Sequence, residues 1–300
     1  IGITQQAVSR RIASLERDLE VRLFVRTSRG TRLSVDGQVF LPRARELLRA
    51  ASRAVGSVRA GRRALRVDVL NRRTAPATAL REFHRLHPDV EIDVLTLPDA
   101  HADDAVAAVL DGSVDATFRA FVAPAREPSG SLRIVRVIDD RHQLLVGPRH
   151  PLAASTAVTL ADLRSHRIWM PGLRPDTEWG AYYEELARAF DLRIDTGGPS
   201  FGADALLEEL AASADLSTFV GEGSRYLWPD SYDLRRIPII DPTPVYPHSV
   251  AWRDGDRHPV LEAFLAHLHR ERSRGSEVLT WVPSWARETI EGRGLHDRRR

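Results

Sequence analysis

Thr4-Gln-Gln-Ala-Val-Ser-Arg-Arg-Ile-Ala-Ser-Leu-Glu16 reads as a compact amphipathic helix with an arginine-bearing outer face. Thr4 stands at the N-cap position, where a hydroxyl accepts a first-turn N–H. Val8, Ile12, Leu15 and Leu19 recur at spacings of four, three and four, which is one apolar stripe of a helix. Gln5, Gln6, Ser9 and Arg10 fall mostly off that stripe. These side chains suit a DNA groove: glutamine pairs bidentately with adenine, arginine with guanine, and serine holds a phosphate. An ordinary surface helix has the same pattern, so this helix alone leaves both readings open.

The next residues favour the nucleic-acid reading. Val21 to Arg26 reads as a short strand, Thr27-Ser-Arg-Gly30 as a turn and Thr31-Arg-Leu-Ser34 as a returning strand. Arg26, Arg29 and Arg32 cluster around this hairpin. Three neighbouring cations repel one another without an anionic partner, and a DNA phosphate supplies one. Charge along the chain agrees. The first 66 residues carry 15 arginines and 5 acids, a net +10; the rest carry 28 and 36, a net −8, which together give the +2 of the whole chain. A basic head on an acidic body fits a nucleic-acid reader joined to a sensing module.

Three hundred residues allow about two domains with a substantial core. No apolar run approaches the roughly 18 residues that would read as a membrane span, and no secretory signal is visible. With no cysteine there is no disulfide or thiolate metal site, which fits a cytoplasmic location. Enzyme signals are weak. His84 and His87 lack an accompanying ligand set and read as surface histidines. Gly221-Glu-Gly-Ser224 is too short for a nucleotide loop, and Asp139-Asp140 reads as a turn rather than a catalytic pair. No G-x-S-x-G elbow or P-loop occurs. The expectation is a protein that is not an enzyme and holds neither metal nor cofactor.

Ala7-Val-Ser-Arg10, Ile12, Leu15-Glu16, Leu19, Leu23-Phe24 and Arg26, followed by Thr31-Arg-Leu-Ser34 and Gly37, resembles the winged helix-turn-helix of LysR-type transcriptional regulators. The resemblance implies that the chain enters the family motif at its recognition helix, with a first helix and most of a second missing. Those helices would cover Val8, Ile12 and Leu15, so this stretch by itself is expected to bind its operator poorly. The family usually has glycine after the recognition helix. Glu20 stands there, at a cost of up to about 1 kcal/mol if the backbone is left-handed.

Ser34 caps the next helical pattern, in which Leu41, Ala44, Leu48, Ala51, Val55 and Val58 form an a/d seam flanked by arginines. Pro42 should bend its first turns, and Gly56 and Gly61 weaken its far end. A narrow seam flanked by charge suits a partner helix. The resemblance implies a homodimer or a tetramer of such dimers, and two-fold symmetry predicts an operator in double-stranded DNA with dyad symmetry.

The body alternates strand and helix. Leu65 to Leu70, Val90 to Leu97 and Asp115 to Phe118 read as strands, with helices from Thr78 to His87 and Asp103 to Leu110. Strands at Leu132 to Ile138 and Gln143 to Val146 follow, as though the chain changes lobe near Asp139-Asp140. A second set repeats the theme up to a closing helix at His258 to Arg270. The alternation argues for mostly parallel sheet. The fold class expected is multi-domain: an incomplete winged helix-turn-helix over 1–34, a linker helix over 35–63 and a two-lobed α/β effector domain, similar to periplasmic binding proteins, over 64–272. Lobe 1 takes 64–140 and 246–272, and lobe 2 takes 141–245. The tail, 273–300, has no assigned role, although Trp281 and Trp285 could dock on the body.

Ligands of open α/β sheets sit beyond the carboxyl ends of strands. The candidate effector residues are therefore Asn71, Arg72, Thr74, Thr96, Arg119, Met170, Gly172, Gly202 and Val220. Arg72 or Arg119 would neutralise an anionic small molecule, and the helix start near Gly202 would offer N–H groups. The leading expectation is a transcriptional regulator controlled by a small-molecule effector. A solute-binding module with the same two lobes, a bilobed enzyme and a truncated regulator that no longer reads DNA are the alternatives.

Overall fold

A computed structural model describes residues 5–27, 30–41, 43–44, 47, 63–97, 101–121, 131–198, 202–255, 258–273 and 278–287. The chain divides into two units, Ile1–Arg63 and Ala64–Arg300.

In the first unit, helix α1 spans Gln5–Asp18. It ends in a Schellman motif: the Val21 N–H donates to Glu16 O at 3.1 Å and the Glu20 N–H to Arg17 O at 3.2 Å. Glu20 has φ 56°, so the left-handed cap falls on a glutamate. Strands β1 (Phe24–Thr27) and β2 (Gly30–Leu33) pair antiparallel, Thr27 opposite Gly30. The first begins later than the sequence suggests because Val21 to Leu23 are used in leaving the helix. The Glu16 carboxylate accepts the N–H groups of Leu23 at 2.7 Å and Phe24 at 3.0 Å, tying hairpin to helix.

Helix α2 covers 35–41. Ser34 caps it, its Oγ accepting the Gly37 N–H at 2.9 Å. Gly37 is needed for space, since a Cβ there would lie 2.1 Å from Leu23 O. Leu23 is buried, but Val8, Leu15 and Leu19 stay 40–43% exposed. Pro42, the seam from Leu48 to Val58, and Gly56 and Gly61 lie outside the described residues.

Lobe 1 of the second unit begins with β3 (Leu65–Val69), α3 (Ala75–Leu86), β4 (Ile92–Leu95), α4 (Ala102–Leu110) and β5 (Ala116–Arg119). Helix α3 starts three residues earlier than its apolar pattern suggests. Thr74 takes the cap position and Pro76 sits in the first turn, where its missing N–H is harmless. Strand β6 (Leu132–Val146) then leaves lobe 1 for lobe 2. It is one continuous strand, so Asp139-Asp140 is not a turn but its middle.

Lobe 2 contains β7 (Val158–Thr159), β8 (Arg167–Trp169), α5 (Glu178–Phe190), β9 (Arg193–Asp195), α6 (Ala203–Ala212), β10 (Leu216–Gly221) and β11 (Arg235–Ile240). Strand β12 (Thr243–Arg253) returns to lobe 1, where α7 (Pro259–Ser273) closes it. The strand order is β4-β3-β5-β12-β6-β10-β8-β9. Pairing is parallel among β3, β4 and β5 and among β8, β9 and β10, but antiparallel wherever β6 or β12 takes part in this path. The sheet is thus mixed, because the two crossing strands run against each other, β12 opposing its neighbour β5 in lobe 1 and β6 opposing β10 in lobe 2.

Each lobe has its own core. In lobe 1, Phe264 of α7 meets Phe83 at 5.2 Å and Phe118 at 6.0 Å between ring centroids. In lobe 2, Leu144, Ile168, Tyr182 and Leu186 are fully buried together. The tail joins this second core. Strand β13 (Thr280–Trp281) pairs with β12, and Trp281 packs edge-on against Tyr182 and Phe190, both at 5.7 Å. Trp285, in the short helix α8 (Ser284–Arg287), packs on the same cluster. The aromatic pair therefore docks on the body; Arg298 to Arg300 lie outside the described residues.

Candidate functional site

A cavity of about 420 Å³ opens between the two lobes of the second unit. The carboxyl ends of β3, β8 and β10 supply much of its wall through Leu70, Asn71, Thr74, Gly172, Phe219 and Val220. The start of α5 adds Thr177, Glu178, Trp179 and Tyr183, and the crossing strands add Asp140, His142, Tyr246 and His248. Thr177 holds α5 in place, its Oγ1 accepting the Gly180 N–H at 3.1 Å. The loop after β10 is fastened to lobe 1. Thr78 Oγ1 donates to Gly223 O at 2.9 Å, and the Arg225 N–H to Arg73 O at 2.7 Å.

Asp140 is the polar centre of the wall. Its side chain is 6% exposed, and Oδ1 accepts the Gly223 N–H at 2.8 Å. A Cβ on Gly221 would sit 1.9 Å from Oδ2, so only glycine lets the loop lie against this carboxylate. Burial raises Asp140 to about 6, beyond the lowering effect of the Gly223 N–H. Burial lowers His142 to about 4 and His248 to about 3. Both histidines are therefore neutral at physiological pH, and the 4.0 Å approach of His248 Nε2 to Asp140 Oδ2 is not an ion pair there. Nε2 of His142 lies 2.8 Å from the Tyr183 hydroxyl. Around these groups the wall is aromatic. Tyr183 stacks on Phe219 at 5.9 Å, Trp179 meets Tyr183 edge-on at 5.8 Å, and His142 stacks on Tyr246 at 6.3 Å.

Of the candidate effector residues, Asn71, Thr74, Gly172 and Val220 come together in this wall. Asn71 and Thr74 also shape the turn into α3: Asn71 Oδ1 accepts the Arg73 N–H at 2.8 Å and Thr74 Oγ1 donates to Asn71 O at 2.7 Å. The others lie elsewhere. Arg72 points away, its Nη2 donating to Val94 O at 3.0 Å. Thr96 is exposed beyond β4. Arg119 is buried and its Nη1 is 2.8 Å from Asp68 Oδ2, which also accepts from Thr117 Oγ1. Met170 is buried in lobe 2, its sulfur accepting from Thr218 Oγ1 at 3.1 Å. Gly202 is exposed at the start of α6 with φ 94°. An alternating strand pattern tells which side chains share a face but not what else they meet; Arg119 stays outside the lining with its Nη1 drawn to Asp68, while its charge still reaches Glu178 and Tyr246 in the wall. Asp140 and His142 escape the sequence pattern because the polar stretch 139–143 divides β6 into two apparent strands; that polar stretch, flanked by apolar runs on both sides, was the available signal.

In the head, Gln6, Ser9 and Arg10 are exposed on α1, and Arg32 is exposed on β2. Gln5 opens α1 and Arg26 lies in β1. Thr4 and Arg29 lie outside the described residues.

Residues 73–273 match the LysR substrate binding domain. The chain belongs to the LysR family of bacterial transcriptional regulators. Residues 1–38 of this LysR-family chain also match the bacterial regulatory helix-turn-helix protein model, lysR family. It is 29% identical to the HTH-type transcriptional regulator MetR of Escherichia coli strain K12 over 312 aligned positions, covering 96% of this chain and 87% of MetR. It is 35% identical to an uncharacterized HTH-type transcriptional regulator of Mycobacterium bovis over 170 positions, about half of each chain (54% and 53%). Among solved structures, full-length CbnR complexed with its target DNA is 25% identical, with a TM-score of 0.53 over 89% of this chain and 90% of that one. Full-length BenM, at 19% identity, shares the fold, with a TM-score of 0.56 over 94% and 91%. These relatives are regulators, not enzymes. No helix among the described residues is long and apolar enough to cross a membrane.

Proposed function

We propose that this LysR-family regulator reads duplex DNA with the outer face of α1 and the β1–β2 wing, and that a small organic effector in the interlobe cavity controls it. The observation that carries the effector reading is the convergence of three strand ends and both crossing strands on one cavity. Gln6, Ser9 and Arg10, exposed on one helix beside exposed Arg32, support the DNA reading. The head would comprise 1–34, a dimerising linker helix 35–63 and the effector body 64–272. Two copies would present two heads to a dyad operator, in the cytoplasm. Effector binding switches such a regulator only if it favours one of two states of the body.

Fluorescence anisotropy against the DNA upstream of its own gene tests this. Arg10→Ala should weaken specific binding by about 1–3 kcal/mol, while Arg32→Ala should weaken all sequences alike and lower the salt slope by about one. If the chain binds this DNA sequence-selectively and neither change moves that binding, the head is not the reader. Sedimentation analysis of the free protein checks the dimer.

A further inference from the structure

The cavity has a chemical bias that its position alone does not explain. Among the described residues Asp140 Oδ2 has no hydrogen-bond donor; His248 Nε2, at 4.0 Å, is too distant and uncharged. Nearby, Glu178 Oε1 is also buried without a partner. Two carboxyl residues thus border one cavity, and the unpaired oxygen of Asp140 is the one left for a ligand. Among the described residues the one guanidinium in the lining belongs to Arg174, which is 61% exposed and held by Asp176 at 2.7 Å. Arg236 influences Asp140 from outside the lining and gives its Nη2 to Ser224 O at 2.6 Å.

Three ligand classes fare differently here. A carboxylate would meet Asp140 and Glu178, and like charges in a low-dielectric site repel; the buried Arg119, whose Nε and Nη2 have no partner among the described residues and whose charge reaches Glu178, stands outside the lining with its Nη1 on Asp68. A neutral apolar molecule would leave Oδ2 desolvated and unpaired. An ammonium group would donate to Oδ2 in a charge-assisted bond, while the faces of Tyr183, Phe219 and Tyr246 accommodate both cation and hydrocarbon. We propose that the effector carries a protonated amine on an apolar body, with the amine seated on Asp140. The proposal rests on the reading of this cavity as the effector site.

Isothermal titration of the full chain at neutral pH with phenethylamine, 2-phenylethanol and 3-phenylpropionate separates the classes on one carbon skeleton. The amine is expected to bind about tenfold or more tighter than either of the others. Asp140→Asn should weaken the amine by at least about tenfold and leave 2-phenylethanol unchanged. If that variant fails to melt cooperatively by circular dichroism, the wild-type ranking decides by itself. Tightest binding by 3-phenylpropionate, or amine binding indifferent to Asp140→Asn, would overturn the proposal yet keep the cavity as the effector site. No heat from any of the three would overturn both.

Discussion

Helix α1 of the head and helix α3 of the effector unit both place apolar residues at helical spacings, and they end in opposite states. Leu80 and Phe83 of α3 are sealed, whereas Val8, Leu15 and Leu19 of α1 are left with two-fifths of their surface open. In the effector unit, α3 packs with α7 over a sheet, and Phe83 meets Phe264. In the head, α1 is tied to the β1–β2 hairpin through Glu16, whose carboxylate accepts the N–H groups of Leu23 and Phe24. The contrast teaches that periodicity specifies which face seeks cover, while what packs against that face decides whether it is covered.

The contrast is sharpest where burial is complete. Phe264→Ala removes a ring from the middle of the lobe 1 core and should cost about 3–5 kcal/mol in denaturant unfolding followed by circular dichroism. Leu15→Ala in α1 should cost about 1 kcal/mol or less, because much of the side chain already faces water. Comparable losses from the two changes would mean that the head is as well packed as the lobe, and the comparison would fail.

Asp140 tests the lobes from the opposite direction, since its burial works against stability. Its carboxyl is raised from 3.8 to about 6, so the folded state prefers the proton. The stability linked to that proton is fully present below about pH 4 and is lost as pH rises through about 6. Roughly two pKa units correspond to about 3 kcal/mol, an upper figure. Asp140→Asn is therefore expected to raise the melting temperature at pH 7, by an amount that shrinks towards pH 4. A variant that melts lower at pH 7 would show that Arg236 and the Gly223 N–H outweigh desolvation.

The smallest effect belongs to the head. Glu20 holds a left-handed conformation without being glycine, so Glu20→Gly should stabilise the head by up to about 1 kcal/mol. Hydrogen exchange at the end of α1 should slow in the variant, and unchanged or faster exchange there would count against it.

Legibility differed between fold and site. The helix of the head, the Ser34 cap, the order of strands and helices in the body and the place where the chain changes lobe were all readable, because local spacing and turn residues carry them. Short elements were not: β7, β9 and β13 are two or three residues long and owe their existence to neighbours far along the chain. The site was half readable. Strand ends pointed to Asn71, Thr74, Gly172 and Val220. Asp140, Glu178 and the aromatic wall were missed because their meeting depends on how two lobes face each other, which local pattern does not encode. Arg119 shows the same limit in reverse: no spacing announces that Asp68 and Thr117 occupy its Nη1.

The fifteen-residue strand β6 pairs with β12 in one lobe and with β10 and β11 in the other, and Asp140 and His248 stand at the level where it changes partners. Any swing of the lobes must therefore flex β6 and β12 together near that level. A molecule lodged on Asp140 sits at the fulcrum rather than between the tips of the jaws, so a displacement of atomic size at its seat is levered into a far larger arc at the periphery.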